Sequence, residues 1–123
     1  MLSASLLAAV SAAADGDAVR EERAFLRCYS CHTVDPDETA TLDGPLLAGI
    51  LGRRAATRSG FDYSDALRAA GEAGLTWDAA TLDRFIRDPQ AMVPGTRMSL
   101  PPLDDAGLRA DIVAYLARTG GGP

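Results

Sequence analysis

Apolar positions recur with helical spacing in four stretches of the chain, and Gly and Pro punctuate what lies between them. Over 17–30, Val19, Ala24, Phe25 and Cys28 fall near one face and Arg20, Glu21, Glu22, Arg23 and Arg27 mostly on the other, which predicts an amphipathic helix that delivers Cys28 at its C-terminal end. From 33 to 59, Pro36, Gly44, Pro45, Gly49 and Gly52 interrupt regular structure and predict a long wrapping loop. Short helices are expected over 63–70, ending before Gly71 and Gly74, and over 78–87, with Thr76 as the candidate cap and Asp88-Pro89 as the stop. A second loop, MVPGTRMSLPPL, follows. The closing helix is expected over 104–118, with Leu108, Ile112, Tyr115 and Leu116 at helical spacing and Gly120 just beyond.

No long β-branched alternating run competes with these helices, so the fold class is all-α. A chain of 123 residues fits one domain with a modest core. A loop as long as 33–59 is expected inside so small a domain only where it encloses something. The first fourteen residues, MLSASLLAAVSAAA, form a short apolar run whose Ala12-Ala13-Ala14 before Asp15 matches the small-residue cleavage pattern of a secretory signal. Residues 1–14 therefore read as a signal peptide and 15–123 as the mature domain, exported to the periplasm. The run is too short to span a bilayer comfortably.

The formal net charge of −5 argues against nucleic acid or an anionic membrane as a partner, and any docking patch for an acidic surface must be local. All the basic residues are Arg.

The chemistry is concentrated in one pentapeptide. The only two cysteines, Cys28 and Cys31, flank Tyr29 and Ser30, and the only histidine, His32, follows at once. A disulfide across so short a loop would stabilise little. A zinc site would want further Cys or His ligands that the chain does not have, and a C-x-x-C thiol redox pair would want a βαβ context. C-x-x-C-H is instead the attachment signature of c-type haem: two thiols form thioethers with the vinyl groups, and the adjacent imidazole lies under the iron. The sixth ligand is then either absent, as in a haem enzyme or gas sensor, or a thioether, which gives a low-spin electron carrier. Met98 and Met92 are the candidates. Met98 is preferred because Val93-Pro94-Gly95-Thr96 makes a constrained loop immediately before it, whereas Met92 can pack against the haem edge.

Several ordered motifs over 16–118 resemble one family: class I cytochromes c, of the mitochondrial-like and bacterial cytochrome c2 type. They are Cys28-Tyr29-Ser30-Cys31-His32-Thr33, the run from Gly44-Pro45 to Gly52-Arg53, Gly60-Phe61-Asp62-Tyr63-Ser64-Asp65-Ala66, Leu75-Thr76-Trp77, Asp88-Pro89, Val93-Pro94-Gly95-Thr96-Arg97-Met98 and Ile112-Val113-Ala114-Tyr115-Leu116.

The resemblance implies a few short helices and long loops around one covalent haem c, ligated by His32 and Met98. It implies that the Pro45 carbonyl receives the ring N–H of His32, that Arg53, Tyr63 and Trp77 lie near a buried propionate, and that Thr96 bonds near the propionate or the methionine. It further implies a monomeric one-electron carrier, not an enzyme. Its transient partners would be membrane complexes, with cytochrome bc1 as donor and an oxidase or reaction centre as acceptor, and Arg27 and Arg97 would flank the exposed haem edge. Three departures are expected to matter. Glu21 stands where that family has a small residue at a helix crossing, so the crossing is expected to be looser or shifted; Phe85 stands where many members have tyrosine; and the stretch 67–74 is longer and lacks an asparagine.

Overall fold

The computed structural model describes residues 17–38 and 42–120. The export signal expected over residues 1–14 lies outside them. Among the described residues the regular elements are all helical: α1 over 17–25, α2 (Asp65–Glu72), α3 (Ala79–Arg87), α4 (Pro89–Met92) and α5 (Ala106–Tyr115). None is long and apolar enough to cross a membrane.

The element boundaries follow capping chemistry. α1 tightens into a 3₁₀ turn at Leu26–Cys28, which, with the turn that continues to Cys31, curls the chain towards His32. α2 starts from the Ser64 side chain, which accepts the Leu67 N–H, and runs through Gly71 rather than stopping before it. The reason is a close approach: a Cβ on Gly71 would lie 2.1 Å from the Ala55 carbonyl oxygen, so only glycine lets α2 sit on that segment. α3 is capped by Asp78, not Thr76. Asp78 and Thr81 form a reciprocal capping box, and Thr76 contributes only its carbonyl, to the Thr81 hydroxyl at 2.8 Å. Asp88-Pro89 ends α3 as expected but also begins α4, because the Asp88 carboxylate accepts the Ala91 N–H and Pro89 needs no donor at the first helical position. α5 begins at Ala106, after the Asp105 cap, and ends in a π turn at Leu116–Gly120.

α1 and α5 cross at the base of the core. Phe25, fully buried, packs on Tyr115 at 4.8 Å between ring centroids and meets Tyr29 edge-on at 5.0 Å, while the Tyr29 and Tyr115 hydroxyls are 3.0 Å apart. Arg20 reaches Asp111 at 3.0 Å. The buried stripe of α1 is Glu21, Ala24 and Phe25, continuing to half-buried Cys28, whereas Val19 is 53% exposed. Glu21 can lie on the inner face because Arg118 meets its carboxylate with two bonds, of 2.6 and 3.0 Å. α3 is tied to α5 by buried Arg109, which bonds Asp83 at 2.8 Å and the Leu103 carbonyl at 2.6 Å. An isolated antiparallel bridge, Arg54 to Thr76, joins the long connection before α2 to the short one after it. Around it the Trp77 N–H donates to the Arg53 carbonyl and the Gly52 N–H to the Trp77 carbonyl, at 2.8 and 2.7 Å.

Removing one member of the Glu21–Arg118 pair leaves a largely buried charge unmatched. Because Arg118 is itself 41% exposed, the loss is smaller than for a fully buried pair. Arg118→Leu is expected to destabilise the holoprotein by about 2 kcal/mol in urea unfolding, and the double variant with Glu21→Leu to recover most of it.

Candidate functional site

The site is built on the turn that ends α1. The Cys31 and His32 N–H groups both donate to the Cys28 carbonyl, at 3.2 and 2.9 Å, so the two thiols and the imidazole are held in a single turn. Burial pushes the Cys28 thiol up to about 11, which keeps it protonated at neutral pH. A half-buried, protonated thiol is a poor exchange nucleophile, and this counts against a thiol redox site.

The next loop grips this turn. Gly44 N–H donates to the Cys31 carbonyl and Leu47 N–H to the Thr33 carbonyl, both at 2.8 Å. His32 Nδ1 lies 2.8 Å from the Pro45 carbonyl oxygen. A carbonyl can only accept, so Nδ1 carries the proton and Nε2 keeps its lone pair. Burial lowers the His32 pKa, opposed by the bond to Pro45, and so favours the neutral imidazole that a metal needs. Gly44 lies flat against the ring: a Cβ there would be 2.3 Å from His32 Cε1. The sequence marks Gly44 only as part of a motif, and its contact with the ring is visible only in three dimensions.

Met98 is presented by a separate loop. Val93 is buried, the Thr96 N–H closes a turn onto the Val93 carbonyl at 3.0 Å, and buried Thr96 accepts the Met98 N–H on Oγ1 at 3.4 Å. Gln90, unremarked in the sequence, clamps this loop by donating to the Thr96 carbonyl at 2.6 Å and accepting the Gly95 N–H at 3.2 Å. Met92 ends α4, with its N–H bonded to the Asp88 carbonyl at 3.2 Å. Both methionines are half-buried against the core, as are Leu47, Ile50, Leu51, Leu67 and Leu100.

A further group of side chains is polar. Trp77 is buried against Phe85 at 5.1 Å between ring centroids. Tyr63 is buried, and its hydroxyl accepts the Arg58 N–H at 3.3 Å, leaving its own proton to donate. Among the described residues neither the Trp77 indole nor the Arg53 guanidinium has a hydrogen-bond acceptor on the protein. Arg97 donates to the Asp62 carbonyl and lies 3.8 Å from its carboxylate, so its charge is partly met within the chain, while Arg27 is folded onto the Ala24 carbonyl at 3.3 Å.

Two thiols beside an oriented neutral imidazole, a thioether on a braced loop, half-buried apolar side chains against the same core and several N–H and O–H donors without acceptors suit a flat apolar macrocycle with carboxylate arms. Among the described residues no group of three or more His, Cys, Asp or Glu side chains is placed to hold a metal ion without such a macrocycle. Fold and site together define a small all-α, single-haem c-type cytochrome.

The comparisons make the assignment particular. No protein-family model matches the chain. Cytochrome c2 of Rhodomicrobium vannielii is 43% identical over 117 residues, covering 95% of this chain and 90% of the relative. Cytochrome c-554 of Methylosinus trichosporium is 41% identical, covering 97% of this chain and 89% of the relative. The solved structure of cytochrome c2 from Rhodospirillum centenum superposes with a TM-score of 0.77 at 35% identity, covering 84% of this chain and 98% of that one. The chain belongs to the cytochrome c2 family: it is an electron-transfer protein that carries one covalent haem c, and it is not an enzyme.

Gly44→Ala is expected to displace the His32 ring, because its Cβ would enter at 2.3 Å, well inside an ordinary carbon contact of about 3.5–4.0 Å. The expected result is a several-fold fall in haem per polypeptide, read from the pyridine haemochrome absorbance.

Proposed function

We propose that Cys28 and Cys31 hold the haem through thioethers, that His32 Nε2 and Met98 Sδ are its axial ligands, and that the exported protein carries single electrons between membrane redox complexes. When bound, the haem supplies a ferrous/ferric couple, and the chain supplies position and electrostatics. The observation that carries this proposal is the fixed imidazole: Pro45 sets the His32 tautomer, and the bond at 2.8 Å increases the basicity of the ligating nitrogen.

Met98 is favoured over Met92 by the bracing of its loop. Gln90, Thr96 and the turn onto Val93 hold the Met98 backbone in place before any ligand bond forms, so little ordering cost falls on that bond. Met92 belongs to a helix end, where filling space suffices. Arg53, Tyr63 and Trp77 face the propionates as donors, and each favours the ionised carboxylate. Buried Phe85 offers no hydroxyl to the methionine side.

The partners are larger complexes, with cytochrome bc1 as donor and an oxidase or photosynthetic reaction centre as acceptor, met in brief encounters by a monomer. Arg27 is exposed near the attachment turn, while Arg97 shares its charge with Asp62, so the positive patch on this acidic molecule is small. Such a patch sets orientation and association rate more than affinity. Residues 1–14 fit a periplasmic export signal that leaves 15–123 as the carrier.

Paired substitutions test the ligand. Met98→Ala is expected to abolish the weak sulfur-to-iron absorption of the ferric protein, lower the midpoint potential and let the ferrous form bind CO, while Met92→Ala keeps all three properties. Retention of the absorption in Met98→Ala would overturn the assignment.

A further inference from the structure

Among the described residues Arg58 carries the one buried side-chain atom that is left without a hydrogen-bond partner. That atom, its Nε, is closed off from solvent. One terminal nitrogen donates to the Ala48 carbonyl, and the backbone N–H donates to the Tyr63 hydroxyl. No carboxylate of the described residues forms an ion pair with it. One neutral carbonyl does not offset a guanidinium with a buried N–H, so the site requires an anion.

The surrounding groups do not provide that anion. On its own segment Arg53 and Arg54 add positive charge, and Tyr63 presents a hydroxyl. The 44–52 loop offers only the neutral Ala48 carbonyl. The acids closest to it along the chain, Asp62 and Asp65, are engaged by Arg68 at 3.2 and 3.1 Å, and Asp62 also by Arg97.

We propose that Arg58, together with Tyr63, binds a carboxylate arm of the haem as a second cation beside Arg53, with its Nε–H donating to that carboxylate. The inference rests on the haem placement proposed above. A guanidinium fork offers two parallel N–H groups, and Arg58 already holds Tyr63 through its backbone, so one carboxylate oxygen pair can be met by cation and phenol together. Neither Arg58 nor its neighbour Ser59 belongs to the motifs that carry the family resemblance in this sequence. The consequence is a propionate held ionised through the acid-to-neutral range, and a midpoint potential that is flat across it.

The test is a potentiometric titration of the purified holoprotein from about pH 5 to 8, the window into which a carboxyl deprived of its cation rises. The unmodified protein is expected to give a flat profile. Arg58→Gln is expected to show an inflection, with the potential falling as pH rises, because ionising the carboxyl favours ferric iron. Arg58→Lys, which restores the charge, is expected to flatten the profile again. A profile in R58Q as flat as the unmodified one, or one in R58K as steep as R58Q, overturns the proposal. If R58Q does not fold, the unmodified ferrous protein decides: a nuclear Overhauser contact between the Arg58 Nε–H and a propionate methylene supports the proposal, and its absence overturns it. Haem content of the unmodified protein separates the two levels. An unmodified protein with no covalent haem overturns the haem placement and this inference together, whereas one with haem but without the contact or the inflection overturns this inference alone.

Discussion

The bond from His32 Nδ1 to the Pro45 carbonyl, 2.8 Å long, is the constraint on which the rest of the site depends. It joins the turn at the end of α1 to the long loop that follows, fixes which ring nitrogen is protonated and so decides which is free to ligate. Its geometry requires Gly44, since any side chain there would occupy the place of the ring. It is reinforced by the Gly44 N–H bond to Cys31 and the Leu47 N–H bond to Thr33, so that the loop and the attachment turn act as one unit.

The helices keep that unit still. Phe25, Tyr29 and Tyr115 pack together where α1 meets α5, and Arg20–Asp111 and Glu21–Arg118 latch the crossing. Arg109, buried in α5, carries the same restraint to α3 through Asp83, and α3 passes it to α4 and the Met98 loop through Asp88. Electron carriers gain from this arrangement because a site that rearranges little between oxidation states leaves little reorganisation to slow transfer. The polar side is organised differently: Arg53, Arg58, Tyr63 and Trp77 sit on irregular chain, tied by the bridge between residues 54 and 76 and by the bond from Arg58 to Tyr63.

Much of this was legible in the sequence, because the chemistry is local. Cys28, Cys31 and His32 fall within five consecutive residues, and the periodicity of α1, α3 and α5 is strong enough to place each helix, though not each end. The errors came from interactions that link distant residues. Glu21 looked like part of a solvated face and proved buried, because its partner Arg118 is ninety-seven positions away. Gly71 looked like a stop and proved to be a contact, because Ala55 lies beneath it. Thr76 looked like the cap of α3, and the reciprocal bonds between Asp78 and Thr81 give that place to Asp78 instead. Arg58 carried no pattern at all, since an arginine in a loop reads as solvated until its Nε is seen to be buried.

The central claim is that the chain forms a closed electron carrier, with a covalent haem whose two axial positions are both filled from the protein. An optical spectrum of the ferrous holoprotein with and without CO tests it most directly. A low-spin spectrum unchanged by CO, on a polypeptide whose haem stays attached after denaturation, is the predicted result. A high-spin spectrum that shifts at once with CO, or haem that separates from the denatured chain, would contradict it.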